Sequence, residues 1–354
     1  MNVSLTRADY DVRQGFSPSD YSFTVDWLNV RLDCDDIGML ILAIINKLPE
    51  LELSDFEPRP GGGVCFYKCG YHIPKVGFSS IVLAYNTDEK GKIINTPSGK
   101  RGELYGILVS ISGDGCRFIN SLHDNAFCDF LDAISIFNPQ CSRIDLACDI
   151  LDKENQIVPM IHTFAATAYD RENALIDLNC GLIRKRPDGK YRQWVKVDNV
   201  YDDVIDDITY NVTVGGRNST KGTLQLYNKR VEINERHESS VAEAILNAMG
   251  DPDYWWRLEY RCKSYAQNVF DTLVQSKNVY AAFLEACTGF GEFVVSPYDI
   301  SNIHKAQEAV EWAAFLCFLR SQIDTGIHLV QFTVPKLTAS PYLPSVNYKP
   351  LAGY

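Results

Sequence analysis

The sequence predicts an α+β protein, with a mainly antiparallel sheet, flanking helices and a helical C-terminal region. Three observations carry this expectation. Short segments alternate apolar and polar residues between Gly, Asn and Asp turns, as half-buried antiparallel strands do. Other segments place apolar residues at helical spacing. From Tyr265 onward that helical period replaces the alternation. The expected organisation is an arm over 1–20, a sheet-bearing domain over 21–264, a helical region over 265–334 and a proline-rich tail over 335–354.

Taken in order, Tyr21–Leu32 alternates and is predicted as a strand. Asp33-Cys34-Asp35-Asp36 offers N-cap chemistry to an amphipathic helix over Ile37–Leu48. Pro58-Arg59-Pro60-Gly61-Gly62-Gly63 is a turn. Val64–Lys68, Ser79–Tyr85 and Glu103–Ser112 are predicted as strands. Ser112-Gly113-Asp114-Gly115-Cys116-Arg117 is either a backbone turn for a phosphate or a plain strand-to-helix turn, and the second reading is at least as strong. Asp124–Phe137 is a helix that ends before Pro139. Ser142–Ile150 is a strand, and Lys153–Tyr169 a helix with Pro159 as a kink.

Strands follow near Ala174–Lys185, Tyr191–Val197, Ile208–Val214 and Thr223–Arg230. After a helix over Ser239–Met249, the strand Tyr254–Lys263 closes the sheet. Helices are predicted over Ala266–Gln275, Val279–Cys287 and Ile303–Ile323. The strand–helix–strands order from Tyr21 recurs from Ser142, with Ile144-Asp145-Leu146 matching Val25-Asp26-Trp27. Pseudo-duplicated halves are one outcome of that recurrence.

Composition narrows the function classes. Of 354 residues, 46% are hydrophobic and 22% charged, as in ordinary globular proteins. No apolar run reaches the roughly 18 residues of a membrane span. The first residues carry Arg7, Asp9 and Asp11 and lack the apolar stretch of a signal peptide. There are 11 cysteines but no Cys-x-x-Cys, so the thiols are expected to be free and the compartment the reducing cytoplasm. A net charge of -11 argues against indiscriminate coating of nucleic acid and leaves room for a local basic face.

Three strands concentrate chemistry. In Ser142–Ile150, Arg143, Asp145, Ala147 and Asp149 share one face, and the other face is apolar. Asp145 and Asp149 stand roughly 13 Å apart on an ideal strand, so one is a candidate metal ligand and the other a supporting or charge-pairing group. A strand whose acids simply pair with Arg143 and nearby lysines is the plainer alternative. In Trp256–Arg261, Glu259 lies between Arg257 and Arg261, opposite Trp256, Leu258 and Tyr260. That face could supply a further ligand and phosphate-binding charge, or be a salt-bridged surface. In Thr223–Arg230, an alternating strand puts Tyr227 beside Lys229. A tyrosine nucleophile aided by a lysine competes here with a half-buried tyrosine next to a solvated lysine. The histidines are neither adjacent nor one residue apart, so any metal site is built mainly from oxygen ligands, which suits Mg²⁺ or Mn²⁺.

Basic residues cluster. Arg184, Lys185, Arg186, Lys190, Arg192 and Lys196 surround the turn Pro187-Asp188-Gly189 and predict a positive hairpin suited to DNA, or a solvated one. Arg217, Lys221, Lys229 and Arg230 extend this patch toward Tyr227, and Ser219 and Arg257 complete the candidate DNA-binding set.

With these motifs in order, the chain resembles the Rep_trans replication initiation factors, a family of rolling-circle plasmid initiators, relaxases and filamentous-phage replication proteins. The resemblance spans roughly 21–263. It rests on Val25-Asp26-Trp27-Leu28, Ile111-Ser112-Gly113-x-Gly115-Cys116-Arg117, Ser142–Asp149, Val214-Gly215-Gly216-Arg217-x-Ser219 with Leu226-Tyr227-Asn228-Lys229, and Trp256-Arg257-Leu258-Glu259. Gly216 stands where the family has a serine, and Thr213 where it has an aromatic residue.

The resemblance implies a DNA-nicking, strand-transferring endonuclease. Tyr227 would attack an origin phosphate, leaving a 5′-phosphotyrosine adduct and a free 3′ hydroxyl. Lys229 would assist, and Asp145, Glu259 and then Asp149 would hold Mg²⁺ or Mn²⁺. The implied partner is origin DNA, single-stranded or extruded as a hairpin, with a host helicase and a second copy of the chain as further candidates and no membrane. A non-catalytic DNA-binding regulator and a metal-dependent nuclease using water are the alternatives.

Overall fold

The computed structural model describes residues 20–97, 104–151, 181–185, 191–192, 195–198, 211–215, 219–220, 222–236, 239–248, 255–296 and 307–308. The predicted helix Lys153–Tyr169, the N-terminal arm up to residue 19 and the C-terminal tail lie outside them. The chain divides into two compact units. One holds Leu28–Gln140; the other combines the residues up to Trp27 with Cys141–Phe332.

The 28–140 unit starts midway along β1 (Asp20–Leu32) and continues through α1 (Ile37–Lys47), β2 (Glu57–Pro58), β3 (Cys69–His72), β4 (Ile81–Tyr85), β5 (Ile107–Ile111), α2 (Gly113–Asn120) and α3 (Ala126–Ser135). Its strands lie in the order β2-β3-β4-β5-β1, and consecutive neighbours are antiparallel. Asp36 caps α1 by accepting from the Gly38 and Met39 amides at 2.8 and 3.3 Å, satisfying donors the first turn would leave bare. Leu40, Ile41 and Ile44 of α1 and Phe127, Phe130, Leu131 and Ile134 of α3 are buried.

One expectation changes in this unit, and one open alternative resolves. Val64–Lys68 is not a strand, because Cys65 and Phe66 take left-handed backbone angles that break an extended ladder. The pairing strand is β3 instead. The Ser112–Arg117 segment opens α2 directly. At Gly115 a side-chain carbon would lie 2.2 Å from the Ser80 carbonyl, so glycine is needed there for packing against β4. The plain strand-to-helix reading accounts for it.

The other unit contains β6 (Gln140–Leu151), β7 (Gly181–Lys185), β8 (Tyr191–Arg192), β9 (Val195–Asp198), β10 (Asn211–Val214), β11 (Gly222–Asn228), α4 (Lys229–Arg236), α5 (Ser239–Ala248), β12 (Trp255–Cys262), α6 (Ala266–Ser276), α7 (Val279–Phe290), β13 (Glu292–Ser296) and β14 (Gln307–Glu308). Its main strands run β6-β12-β11-β10-β9, again antiparallel. In each series the first strand pairs with the last, β1 with β5 and β6 with β12, while the helix that would complete the second repeat lies outside the described residues.

One face of this second series is apolar. Leu146, Cys148 and Ile150 of β6, Leu224 and Leu226 of β11, and Trp256, Leu258 and Tyr260 of β12 are buried. Tyr260 meets Phe283 and Phe290 of α7 edge-on, each at 5.4 Å between ring centres. Phe23 of β1 joins Tyr280 and Phe283 at 4.9 and 5.0 Å.

Three further expectations are corrected here. The strand expected to reach Arg230 ends at Asn228, and α4 begins at Lys229. The region after Tyr265 is not purely helical, since β13 pairs with β7 and β14 in a separate sheet ordered β14-β13-β7-β8. Of the helix predicted over Ile303–Ile323, only Gln307 and Glu308 are described, and they form β14 instead.

Candidate active site

The polar face of the second series gathers the residues singled out from sequence. Because β6, β12 and β11 are adjacent and antiparallel, Asp149 stands opposite Arg257, which stands opposite Tyr227. Two residues along, Ala147, Glu259 and Gln225 align, and beyond them Asp145, Arg261 and Thr223. Alternation therefore puts Asp145, Asp149, Tyr227, Arg257, Glu259 and Arg261 on one surface.

Tyr227 donates from its hydroxyl to Glu259 Oε2 at 3.3 Å. Burial raises the phenol well above its usual pKa; Arg257 opposes this, while Glu259, Glu232 and Asp26 reinforce it. Glu259 is pushed up to about 7, first by burial and then by the neighbouring charges of Asp26 and Asp145, against the pull of Arg257 and Arg261. Its other carboxylate oxygen lies 3.8 Å from Arg261 Nη2.

Arg257 is buried between two acids. Its Nε and Nη2 donate to both oxygens of Asp149 at 2.8 and 2.6 Å, and Nη1 donates to Asp26 at 3.2 Å. The Trp255 indole donates to Asp149 at 3.0 Å. Asp149 is thereby the anchor of a fork-shaped ion pair. Asp145, also buried, accepts from Arg143 Nε at 2.9 and 3.2 Å, from Arg143 Nη2, and from Arg261 Nε at 3.3 Å. Burial raises its carboxyl above the usual range, and the two guanidiniums pull it back. The Arg143 guanidinium also sits 4.4 Å over the Trp27 ring.

Lys229 reaches the site from a helix rather than a strand. Asn228, at the corner, accepts from the Val231 amide at 3.2 Å and so starts α4 immediately after the strand. Lys229 Nζ lies 5.9 Å from the centre of the Tyr227 ring and is ion-paired with Glu232. Burial, followed by Arg257, lowers its pKa, and Glu232 opposes that shift. Helices α4 and α5 contribute Ile233, Ala242 and Leu246, which pack with Leu151 and Trp255.

The remaining candidates are more scattered. Ser219 accepts from the Gly222 amide at 3.3 Å, and its carbonyl accepts from Lys263 at 3.1 Å. Gly222 has φ +126° and lies so close to β12 that a side-chain carbon would sit 2.0 Å from the Arg261 carbonyl. Arg184 and Lys185 lie on β7, with Arg192 opposite Arg184 on β8, so the basic hairpin pairs as expected. It belongs to the small separate sheet, whereas Lys196 lies on β9 of the main series. Arg186, Lys190, Arg217 and Lys221 lie outside the described residues.

Sequence reasoning missed Asp26 as a partner of Arg257, Trp255 as a donor to Asp149, and Glu232. Asp26 had a usable signal, since it is a charged residue within an otherwise alternating strand. Glu232 had none, because the helix carrying it was not predicted. The donor set around Glu259 is hard carboxylate oxygen, the type that suits Mg²⁺ or Mn²⁺. Among the described residues, however, no three His, Cys, Asp or Glu side chains are gathered closely enough to form a ready metal site. No described helix is long and apolar enough to cross a membrane.

No family model matches the chain, and no curated protein matches it in sequence. Among solved structures it is similar to a rolling circle replication initiator protein from Geobacillus stearothermophilus. The TM-score is 0.55 at 16% identity, and the match covers 85% of this chain and 97% of that one. At that identity the likeness establishes a shared fold.

Proposed function

We propose that the chain is a rolling-circle replication initiator that nicks one DNA strand through Tyr227. The observation carrying this reading is the Tyr227 hydroxyl donating to a buried carboxylate, Glu259, on a face lined by Arg257 and Lys229. The shared fold with a known initiator and the ordered motifs support it.

The residue chemistry fits an in-line attack. A half-buried phenol whose pKa is raised does not ionise by itself at neutral pH, so its proton needs a nearby acceptor. Glu259 is already hydrogen-bonded to it and is the acceptor within reach. As the Tyr227 oxygen bonds to the phosphorus, the 3′ oxygen of the neighbouring nucleotide leaves and takes up a proton. Lys229 offsets charge on the phosphate. Arg257, locked to Asp149, holds positive charge on the strand beside Tyr227. The phosphodiester energy is kept in the new ester, so the same site can rejoin ends.

Glu259 and Asp145, with Asp26 nearby, are the residues that would hold a divalent ion. Asp149 follows them; both aspartates already engage guanidiniums through both oxygens, Asp149 with Arg257 and Asp145 with Arg143 and Arg261, so Glu259 is the least committed ligand. When bound, the ion would polarise the scissile phosphate. The crowding of Asp26 and Asp145 around Glu259 is the charge imbalance that such an ion would relieve.

The test is incubation with supercoiled DNA of the source element, followed by denaturing electrophoresis. Wild type is expected to leave nicked DNA bound to protein, and Tyr227→Phe neither nicks nor adducts. Its fold should persist, because one hydroxyl hydrogen bond contributes only about 1 kcal/mol. An adduct formed by Tyr227→Phe would sink the assignment. Cleavage without any adduct would select a water-using nuclease, and binding without cleavage a regulator.

A further inference from the structure

We infer that Phe66, in the 28–140 unit, is a stacking platform for the bases of single-stranded DNA. Phe66 is 94% exposed, more than any other large apolar residue described. It and Cys65 adopt φ of +72° and +53°, a region that side chains other than glycine and asparagine rarely occupy. Both features oppose stability: an aromatic ring is left in water, on a backbone that suits glycine. Such outliers persist where the surrounding structure enforces them, and they concentrate at functional positions.

The enforcement is visible. On either side of the tip, Val64 and Tyr67 pack against Val82, Ala84 and Leu108, and the Tyr67 hydroxyl donates to the Tyr105 carbonyl at 3.1 Å. Arg59 ties the base of the loop, donating to the Gly62 and Gly63 carbonyls at 2.8 and 2.9 Å and to the Phe78 carbonyl at 3.3 Å. The Lys68 amide donates to the Asn86 side chain at 2.9 Å. The tip is thus pre-ordered, and binding would cost little loop entropy.

Charge identifies the partner. From Pro58 to Thr87 the sequence holds Arg59, Lys68 and Lys75 and no aspartate or glutamate, in a chain of net charge -11. Lys68, two residues from Phe66, is exposed. The Arg59 guanidinium stacks 4.0 Å over Phe78, itself 49% exposed. Lys75 is already paired with Asp55 at 2.8 Å, which leaves Arg59 and Lys68 as the cations beside exposed aromatic rings, a combination that matches the bases and phosphates of an unpaired strand. An apolar protein partner would not need the exposed Lys68 two residues from the ring.

The inference relies on the chain acting on DNA but not on Tyr227. The probe is a fluorescein-labelled oligothymidylate of about 15 nucleotides, titrated with the full chain at low salt and read by anisotropy. Phe66→Ala should weaken binding about tenfold, the loss of one stacked base. Phe66→Trp should bind as wild type does, and its added fluorescence should be quenched by the oligonucleotide. Phe66→Asn, which suits the backbone, should lose affinity without losing thermal stability. Equal affinity of Phe66→Ala and wild type would overturn the platform while leaving Tyr227 chemistry intact. So would an altered sedimentation coefficient without altered DNA binding, which would assign the ring to a protein contact. Failure of Tyr227→Phe to block the adduct, with Phe66→Ala still defective in binding, would overturn only the nucleophile.

Discussion

Removing the Asp149 carboxylate should be among the most damaging single changes in the molecule. In wild type it accepts two bonds from Arg257 and one from Trp255, and both Asp149 and Arg257 side chains are only 7% exposed. Asp149→Ala leaves the buried guanidinium with Asp26 alone. Losing one partner of a buried pair costs about 3–5 kcal/mol. The Trp255 N–H also loses its acceptor, at about 1 kcal/mol or more. Together these give about 4–6 kcal/mol, a large part of the roughly 5–15 kcal/mol that stabilises a typical domain. At about 2–4 °C per kcal/mol for a unit of this size, the melting temperature should fall by roughly 10–20 °C. The assay is thermal and urea unfolding in the absence of divalent ions. In the double variant Asp149→Leu with Arg257→Met, no buried charge is stranded, so its cost should fall at least about 2 kcal/mol below the sum of the singles. A cost under about 1 kcal/mol for Asp149→Ala would refute the anchoring argument and return Asp149 to the metal candidates.

Three further outcomes are expected. Chelation should abolish nicking, Mg²⁺ or Mn²⁺ should restore it, and Asp145→Asn and Glu259→Gln should each raise the metal concentration required; full activity of the double variant at low metal would exclude the carboxylate site. Neutralising Arg184, Lys185 and Arg186 together should flatten the salt dependence of DNA binding by about one unit of log–log slope for each phosphate no longer neutralised, and an unchanged slope would place the hairpin away from DNA. His123 bridges Asp129 and Glu50 at 3.0 and 2.8 Å, which raises its pKa above the ordinary value. Its contribution to stability is therefore complete below about pH 6.5 and lost as pH rises through the folded value, so His123→Gln should destabilise at pH 6 and not at pH 9. A pH-independent difference would contradict that assignment.

The elements most legible in sequence are those whose burial pattern is local. Asp20–Leu32, Gln140–Leu151 and Trp255–Cys262 alternate because one face meets the core, and each is legible to within about two residues. Helix α4 is not legible: Lys229-Arg-Val-Glu-Ile-Asn-Glu-Arg continues the alternation of β11, and of its fully described residues only Ile233 is buried. β13 escapes a sequence reading because its partner β7 lies far away in the chain, and no local signal reports that pairing. The candidate site divides in the same way. Tyr227, Asp145, Asp149, Arg257 and Glu259 follow from strand periodicity. Which acid holds which guanidinium depends on cross-strand register, which a single sequence does not display.

The corner between Tyr227 and Lys229 has a consequence for mutability. The strand ends at Asn228 and the helix begins at the next residue, with no loop between them. Surface loops absorb length changes because their ends can move. Here one extra residue after Asn228 would leave Tyr227 paired with Arg257 and turn everything beyond it by about 100° around the helix axis. Lys229 and Glu232 would swing away together, and Ile233 would leave its place beside Trp255. Relatives of this chain should therefore vary in length at surface loops while keeping the tyrosine-to-lysine spacing fixed, as a gear keeps its tooth count.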